Sequence, residues 1–312
     1  MSAPDATNTA YAALTARNRA TLVQMYAPGA YGRQCVQTIA DGARIRLIGS
    51  SLWSGSFRNR FEWGSAVFFA LPRELDGDLA LTPLQILVDG DYASVCAQGR
   101  SVLKNGRRYD NDYCLCYRFA AGTIVELNEF LDTACVTAAF GPRGAREMLP
   151  RRPGTMERQP SVRPASYRSS ELHNADPLAV ANRERVWHLF DGAAGEFATR
   201  FTALLADDVV CRVAGRTRIS GTHHGRERVR ACVFDALHAA LDGPLELVPD
   251  HVGVDGDWAW FIARGLARTR SGERYDDDYC CWLRFADGRV GEVCVYCDTE
   301  LLNRVLDGAA GR

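Results

Sequence analysis

Apolar and polar positions alternate with a period of two between Tyr109 and Phe119. Tyr109, Asn111, Tyr113, Tyr117 and Phe119 fall on one side, and Asp110, Asp112, Cys114, Cys116 and Arg118 on the other. Successive strand side chains point to opposite faces, so this alternation predicts a strand with one aromatic face and one polar face. The next run alternates likewise. Glu126, Asn128, Phe130 and Asp132 share one face, and Val125, Leu127, Glu129 and Leu131 share the other. Further along, Val209-Val210-Cys211-Arg212-Val213 is rich in branched residues and predicts a strand. Leu245 to Val254, Trp258 to Thr269, Tyr275 to Phe285 and Val290 to Asp298 predict four more, the last two joined by a turn at Ala286-Asp287-Gly288. Helical signals come first: Asp176-Pro177 opens a helix through Arg183, Val186, Trp187 and Phe190, and Ala198 to Leu205 continues the helical part. A glycine-rich loop to Gly225 then leads to a helix expected from Arg226 to about Leu241.

The pattern is written twice. Tyr109-Asp110-Asn111-Asp112-Tyr113-Cys114 returns as Tyr275-Asp276-Asp277-Asp278-Tyr279-Cys280, an offset of 166 residues. The same offset carries Arg118-Phe119, Gly122, Glu126 and Asp132-Thr133 onto Arg284-Phe285, Gly288, Glu292 and Asp298-Thr299, and upstream it pairs Asp41 with Asp207, Arg60 with Arg226 and Pro83 with Pro249. No gap is needed, so the chain reads as a direct tandem duplication. The expected domains are residues 10–141 and 176–308, joined by a basic, proline-rich surface linker over 142–175. Each is expected to be an α+β, cone-shaped barrel whose curved, mostly antiparallel sheet wraps around N-terminal helices and leaves a pocket on its concave side.

Composition narrows the chemistry. With 47% apolar residues in 312, the chain is long enough for two cores. No run of about 18 apolar residues is present to span a bilayer, and Met1-Ser2-Ala3-Pro4-Asp5 lacks the basic start of a signal peptide, which predicts a cytoplasmic protein with no membrane partner. The eleven cysteines are then expected to be reduced, and only Cys114 and Cys280 correspond between copies. Of 37 basic residues a single one, Lys104, is lysine, which disfavours Schiff-base catalysis; the phosphate-cradling Gly-Lys loop is absent. A net charge of -1 gives no general attraction to nucleic acid, and the expected partner is a hydrophobic small molecule. Cys294 and Cys297 would put their sulfurs on opposite strand faces, and His223-His224 have no third ligand at suitable spacing, so no metal is expected.

The strand Tyr109, Asn111, Tyr113, followed by Arg118-Phe119, the turn glycine Gly122, Glu126 and Asp132, resembles the nuclear-transport-factor-two-like fold and its SnoaL-like branch of polyketide cyclases. Leu205-Ala206-Asp207-Asp208-Val209 and Gly221-Thr222-His223-His224-Gly225-Arg226-Glu227 carry the same resemblance in the second copy. It implies the cone fold, no cofactor, and a pocket for hydrophobic substrates. It does not choose a reaction, because relatives include cyclases, isomerases, dehydratases, epoxide hydrolases and non-catalytic members. Two such domains in one chain resemble an intramolecular version of the dimer formed by single-domain relatives, with further homo-oligomerisation left open.

By analogy with those cyclases, whose acid/base aspartate lies late in the final strands, Asp132 and Asp298 are the first catalytic candidates. A carboxyl in an apolar cone has its pKa raised towards neutrality. Aspartate is also a favoured helix N-cap, and the sequence leaves both roles open. Asn111 and Tyr113 become oxyanion donors if the aromatic face points inward. In the second copy Asp277 replaces Asn111 and adds a carboxylate opposite Asp298, with Tyr279 beside it, so the second copy is the preferred active site. Trp258, Trp260, Tyr296, His223 and Phe130 are the candidates for holding substrate, with core or interdomain packing as the alternative use of the tryptophans. The functional expectation is a cofactor-independent acid/base enzyme of natural-product biosynthesis performing cyclisation, isomerisation, dehydration or epoxide opening. The alternative is a non-catalytic small-molecule-binding or scaffolding protein.

Overall fold

The computed structural model describes residues 6–77, 79–142, 174–193 and 195–310, so 143–173 of the expected linker lie outside the described residues. The chain divides into two compact units. The first contains α1 (Ala6–Met25), α2 (Tyr31–Thr38), β1 (Ile39–Leu47), β2 (Gly55–Phe57), α3 (Arg60–Trp63), β3 (Ala80–Asp89), β4 (Tyr92–Val102), β5 (Arg108–Ala120), β6 (Thr123–Leu131) and α4 (Thr133–Phe140). The second contains α5 (Pro177–His188), α6 (Glu196–Leu204), β7 (Leu205–Val213), β8 (Gly221–His224), α7 (Arg226–Val229), α8 (Ala236–Ala240), β9 (Glu246–Asp255), β10 (Trp258–Arg268), β11 (Arg274–Ala286), β12 (Arg289–Tyr296) and α9 (Thr299–Ala310).

Both units build the same six-stranded sheet, ordered β2-β1-β6-β5-β4-β3 and β8-β7-β12-β11-β10-β9. The expected α+β cone architecture is present twice, with mixed sheets that stay open: β1 runs parallel to β6 and β7 parallel to β12, and the remaining neighbours are antiparallel. The recurring residues explain the shared path. Arg60 bridges Asp41 at 2.6 Å and donates to the Ile39 carbonyl, and Arg226 bridges Asp207 at 2.7 Å and donates to the Leu205 carbonyl, so each ties the first strand to the helix that follows. Pro83 and Pro249 sit beside register shifts in the edge strands β3 and β9, where a missing N–H is tolerated. At the last hairpin Asp287 and Gly288 both have positive φ, 50° and 76°, which matches the sheet twist as a two-residue turn requires.

Two elements depart from the sequence pattern. The expected loop before Gly225 contains the short strand β8, paired with β7. The helix expected from Arg226 to Leu241 is interrupted by a π-helical segment, Arg230–Asp235, and the first unit has the same feature at Gly64–Phe68.

The aromatic strand face points inward. Tyr109, Tyr113, Leu115, Tyr117 and Phe119 join the core of the first unit, and Tyr275, Tyr279, Cys281, Leu283 and Phe285 that of the second. Among the described residues no helix is long and apolar enough to cross a membrane.

Candidate functional site

A cavity of about 170 Å³ lies inside the second unit. Its wall comes from α6 (Phe197, Phe201), the π segment (Val233, Phe234) and the inward faces of β10, β11 and β12 (Phe261, Tyr279, Cys281, Val295). An apolar cavity of this size takes a group of about one six-membered ring. Left empty it would cost about 4 kcal/mol, from roughly 24 cal/mol per Å³. Apart from thiols, two of its lining side chains carry exchangeable protons, Tyr279 and the exposed His238 on α8.

Tyr279 is the inner end of a hydrogen-bonded chain. Its hydroxyl lies 2.5 Å from that of Tyr275, and the Tyr275 hydroxyl donates to Asp277 Oδ2 at 3.1 Å. Asp277 Oδ1 accepts the backbone N–H of Asp298 at 3.0 Å. All three side chains project from β11 at every second residue, which is why one strand face delivers them together. Burial pushes the Asp277 carboxyl well above the usual carboxylate range, and the nearby Asp298 charge adds to this, while the N–H of Asp298 and the Tyr275 hydroxyl pull against it. Burial likewise raises the phenols of Tyr275 and Tyr279. Space for the Tyr279 ring is made by Gly265 on the neighbouring strand, where a Cβ would stand 2.7 Å from the ring. Gly99 does the same for Tyr113.

In the first unit the equivalent of Asp277 is Asn111. It accepts the Asp132 N–H at 2.9 Å and donates to the Asp132 carbonyl at 3.2 Å and to Tyr109 at 3.3 Å. The Tyr113 hydroxyl donates to Tyr109 at 3.4 Å. Neutral Asn111 therefore keeps the scaffold of the network without its titratable end.

Asp132 and Asp298 stand just past the last strand of each sheet. Asp132 accepts the N–H of Cys135 at 3.2 Å as N-cap of α4, and Asp298 accepts that of Leu301 at 3.3 Å at the start of α9. Their backbone N–H groups fix Asn111 and Asp277, so each carboxylate caps a helix while its peptide positions the neighbouring side chain. Glu126 and Glu292 pair with Arg118 and Arg284 at 3.0 and 2.7 Å.

None of the expected substrate-holding side chains lines this cavity. Ala259, Phe261 and Ala263 are the core residues of β10, so Trp258 and Trp260 project from the other face, away from the cavity. Tyr296 alternates out of phase with the cavity-lining Val295 and Cys297, and Phe130 with the core residues Leu127 and Leu131. His223 is buried, with Nε2 at 2.9 Å from the Ile219 carbonyl, and is not part of the cavity wall. The cavity is instead held by phenylalanines, leucines and valines, among them Phe197, Phe201, Phe234, Leu237 and Val295.

One residue of the first unit stands outside the candidate set. Glu129 on β6 occupies the place of Val295, on the same strand face as Leu127 and Leu131. Burial pushes its carboxyl up to about 7. The available signal was a charged residue inside the alternating set Leu127, Glu129, Leu131, where the second copy has Val293, Val295, Cys297.

Residues 186–293 match the model of the SnoaL-like domain. No curated protein matches the chain. Among solved structures, Bal32a from a soil-derived mobile gene cassette is 27% identical over 41% of this chain and 98% of its own, with a TM-score of 0.36. A SnoaL-like polyketide cyclase from Jannaschia sp. CCS1 is 22% identical over 42% and 94%, TM-score 0.35. An NTF2-like protein from Burkholderia pseudomallei K96243 is 19% identical over 40% and 97%, TM-score 0.35. The second unit thus contains the stretch similar to the SnoaL-like domain, and the first unit repeats the second's strand order.

Proposed function

We propose that the chain is a cofactor-independent acid/base enzyme acting on a hydrophobic small molecule, with its reaction in the cavity of the second unit. The observation that carries this reading is the phenol of Tyr279, which faces an apolar cavity and is linked through Tyr275 to a buried carboxyl. With its pKa raised well above the usual carboxylate range by burial, Asp277 keeps its proton to higher pH than a free aspartate and can feed it along the chain. When Asp277 is protonated its contact with Tyr275 runs the other way, the carboxyl O–H donating to the Tyr275 oxygen and Tyr275 to Tyr279, so that Tyr279 gives its proton to an oxygen of the substrate and each group behind replaces it. In a cavity that excludes water such a donor acts at low local dielectric on developing oxygen charge. His238, on the exposed side of the cavity, supplies an imidazole nitrogen to accept a proton from carbon or from water. Proton donation to a carbonyl, hydroxyl or epoxide oxygen gives isomerisation or cyclisation, dehydration, or ring opening respectively. The cavity volume sets a size: one ring fits inside, and a polycyclic substrate of natural-product type extends through the mouth.

The largely apolar wall also favours a second reading, capture of a neutral ligand without turnover. The two separate on a panel of cyclic ketones, allylic alcohols and epoxides incubated with the full chain in deuterated water. Turnover or deuterium entry that falls about 10²-fold or more in Tyr279→Phe supports catalysis through the phenol. Ligands recovered unchanged, or a rate insensitive to Tyr279→Phe, would remove that assignment.

A further inference from the structure

The two sheets keep one register, so each residue of the cavity wall has a counterpart in the first unit. Cys281 pairs with Val295 as Leu115 does with Glu129, and Cys211 pairs with Val293 as Ile45 does with Leu127, at the same offset of 166 residues. Three of the lining residues are Cys211, Cys281 and Cys297, and the first unit has Ile45, Leu115 and Leu131 in their places. Ile219 and Val229 line the cavity too, and there the first unit has Trp53 and Trp63. All five larger side chains are buried in the first core, where Trp53 meets Phe140 edge-on at 5.6 Å and Trp63 meets Phe68 at 4.8 Å. Two larger positions run the other way, Phe201 and Phe261 of the cavity wall against Cys35 and Val95. Five enlargements, two of them to indole rings, outweigh those losses, so the first interior is the fuller of the two.

In a close-packed interior, space is left only where side chains are too small to fill it. Cysteine suits that use, being small and apolar, and burial pushes the Cys211 thiol up to about 12, so it meets a ligand un-ionised. An apolar cavity of about 150 Å³ takes benzene, and the 170 Å³ of the second unit admits a ring of that size. Its lining includes no Asp, Glu, Lys or Arg, so a charged ligand would be desolvated there without a partner. We propose that the chain holds one ligand, a neutral six-membered ring compound, in the second unit alone, and that Cys211, Cys281, Cys297, Ile219 and Val229 admit it by their small size. The first unit, with the bulkier set, is a filled copy that keeps the frame. This rests on the second cavity being the ligand site and not on its reaction, so a ring that binds without turnover would remove the reaction and leave the single site in place.

The test uses the full chain and two neutral probes, fluorobenzene and cyclohexanone, with cyclohexylammonium and cyclohexanecarboxylate as charged controls. Calorimetry and ligand-observed NMR should show at least one neutral ring binding, saturation at one probe per chain, and both charged rings weaker by about tenfold or more. Cys281→Leu and Val229→Trp give the second unit the side chains that Leu115 and Trp63 place in the first. Each should weaken probe binding by about tenfold or more while the melting temperature holds or rises, because filling empty space stabilises a core. Cys281→Val supplies a smaller step if either variant lowers the melting temperature. Trp63→Phe, in the first core, should leave probe affinity unchanged. No binding of either neutral ring up to about 10 mM, saturation at two probes per chain, charged rings bound equally well, unchanged affinity in the folded second-unit variants, or lost affinity in folded Trp63→Phe would each overturn the proposal.

Discussion

Asp298 carries two roles that single substitutions can separate. Its carboxylate caps α9 through the Leu301 N–H, and its own N–H holds Asp277. Asparagine caps a helix as well as aspartate does, so Asp298→Asn should leave both stability and turnover within about twofold. Asp298→Ala should cost about 1 kcal/mol of stability, read from denaturant midpoints. A large loss of turnover in a folded Asp298→Asn protein would restore the carboxylate as a proton carrier. The sequence could show that an aspartate ends each sheet, but cap and acid have the same residue type at the same place, and the hydrogen bonds add the capping role. Glu129 shows the converse. Its alternation with Leu127 and Leu131 was visible, yet which face of that strand is interior depends on the partners across the sheet, Leu115 and Leu47, whose register one strand does not reveal.

At the scale of elements, period-two alternation located the four long strands of the second unit, because a side chain's face is fixed by its parity along the strand. It also put Trp258 and Trp260 together on one face, and was silent on which face turns to the cavity. Short or irregular elements left no such trace. β8 spans only Gly221–His224 and carries no apolar alternation, and the π segment Arg230–Asp235 reads as ordinary helix in sequence. The π segment is the element that shapes the cavity, since it presents Val233 and Phe234 and leads into Leu237 and His238. A π segment accommodates about one residue more than α-helical winding would. Deleting Cys232 from it should therefore give regular α-helix while keeping the residues beyond in phase. Leu237 and His238 would stay on the cavity wall, and the melting temperature should remain close to that of Cys232→Ala, which removes a thiol from a half-buried position. A deletion that lowers the melting temperature far below the substitution would mean that the π turn itself, and not the phase it preserves, holds those side chains.

Across the whole molecule the duplication preserves the frame and varies the chemistry. Strand order, the strand-to-helix arginine bridges and the glycine-tyrosine contacts recur, while exposed Phe61, Phe69, Leu84 and Val102 of the first unit correspond to Glu227, Asp235, Asp250 and Arg268 of the second. The interiors diverge as well, and each holds one carboxyl with a raised pKa, Glu129 in the first and Asp277 in the second. A carboxyl whose folded pKa lies above its unfolded value favours the folded state while protonated. Its contribution is complete below the unfolded pKa and is lost as pH rises through the folded value. For Glu129, moved from 4.5 to about 7, the loss amounts to about 3 kcal/mol once pH is well above 7. Asp277 acts in the same direction over a range that begins at the usual aspartate value and extends well above it. The chain should accordingly lose stability between mildly acidic and mildly alkaline pH. Glu129→Gln should recover stability on the alkaline side and leave the acidic side nearly unchanged. Asp277→Asn should do likewise, because Asn111 shows that this frame accepts asparagine and can give it a bond to the following carbonyl. The carboxyls sit in two separate cores, so the double variant should sum the two effects and flatten the pH profile of the urea midpoint. A wild-type profile already flat over that range would show that neither carboxyl is held protonated by its interior, and would take the proton source from the second unit's proposed reaction.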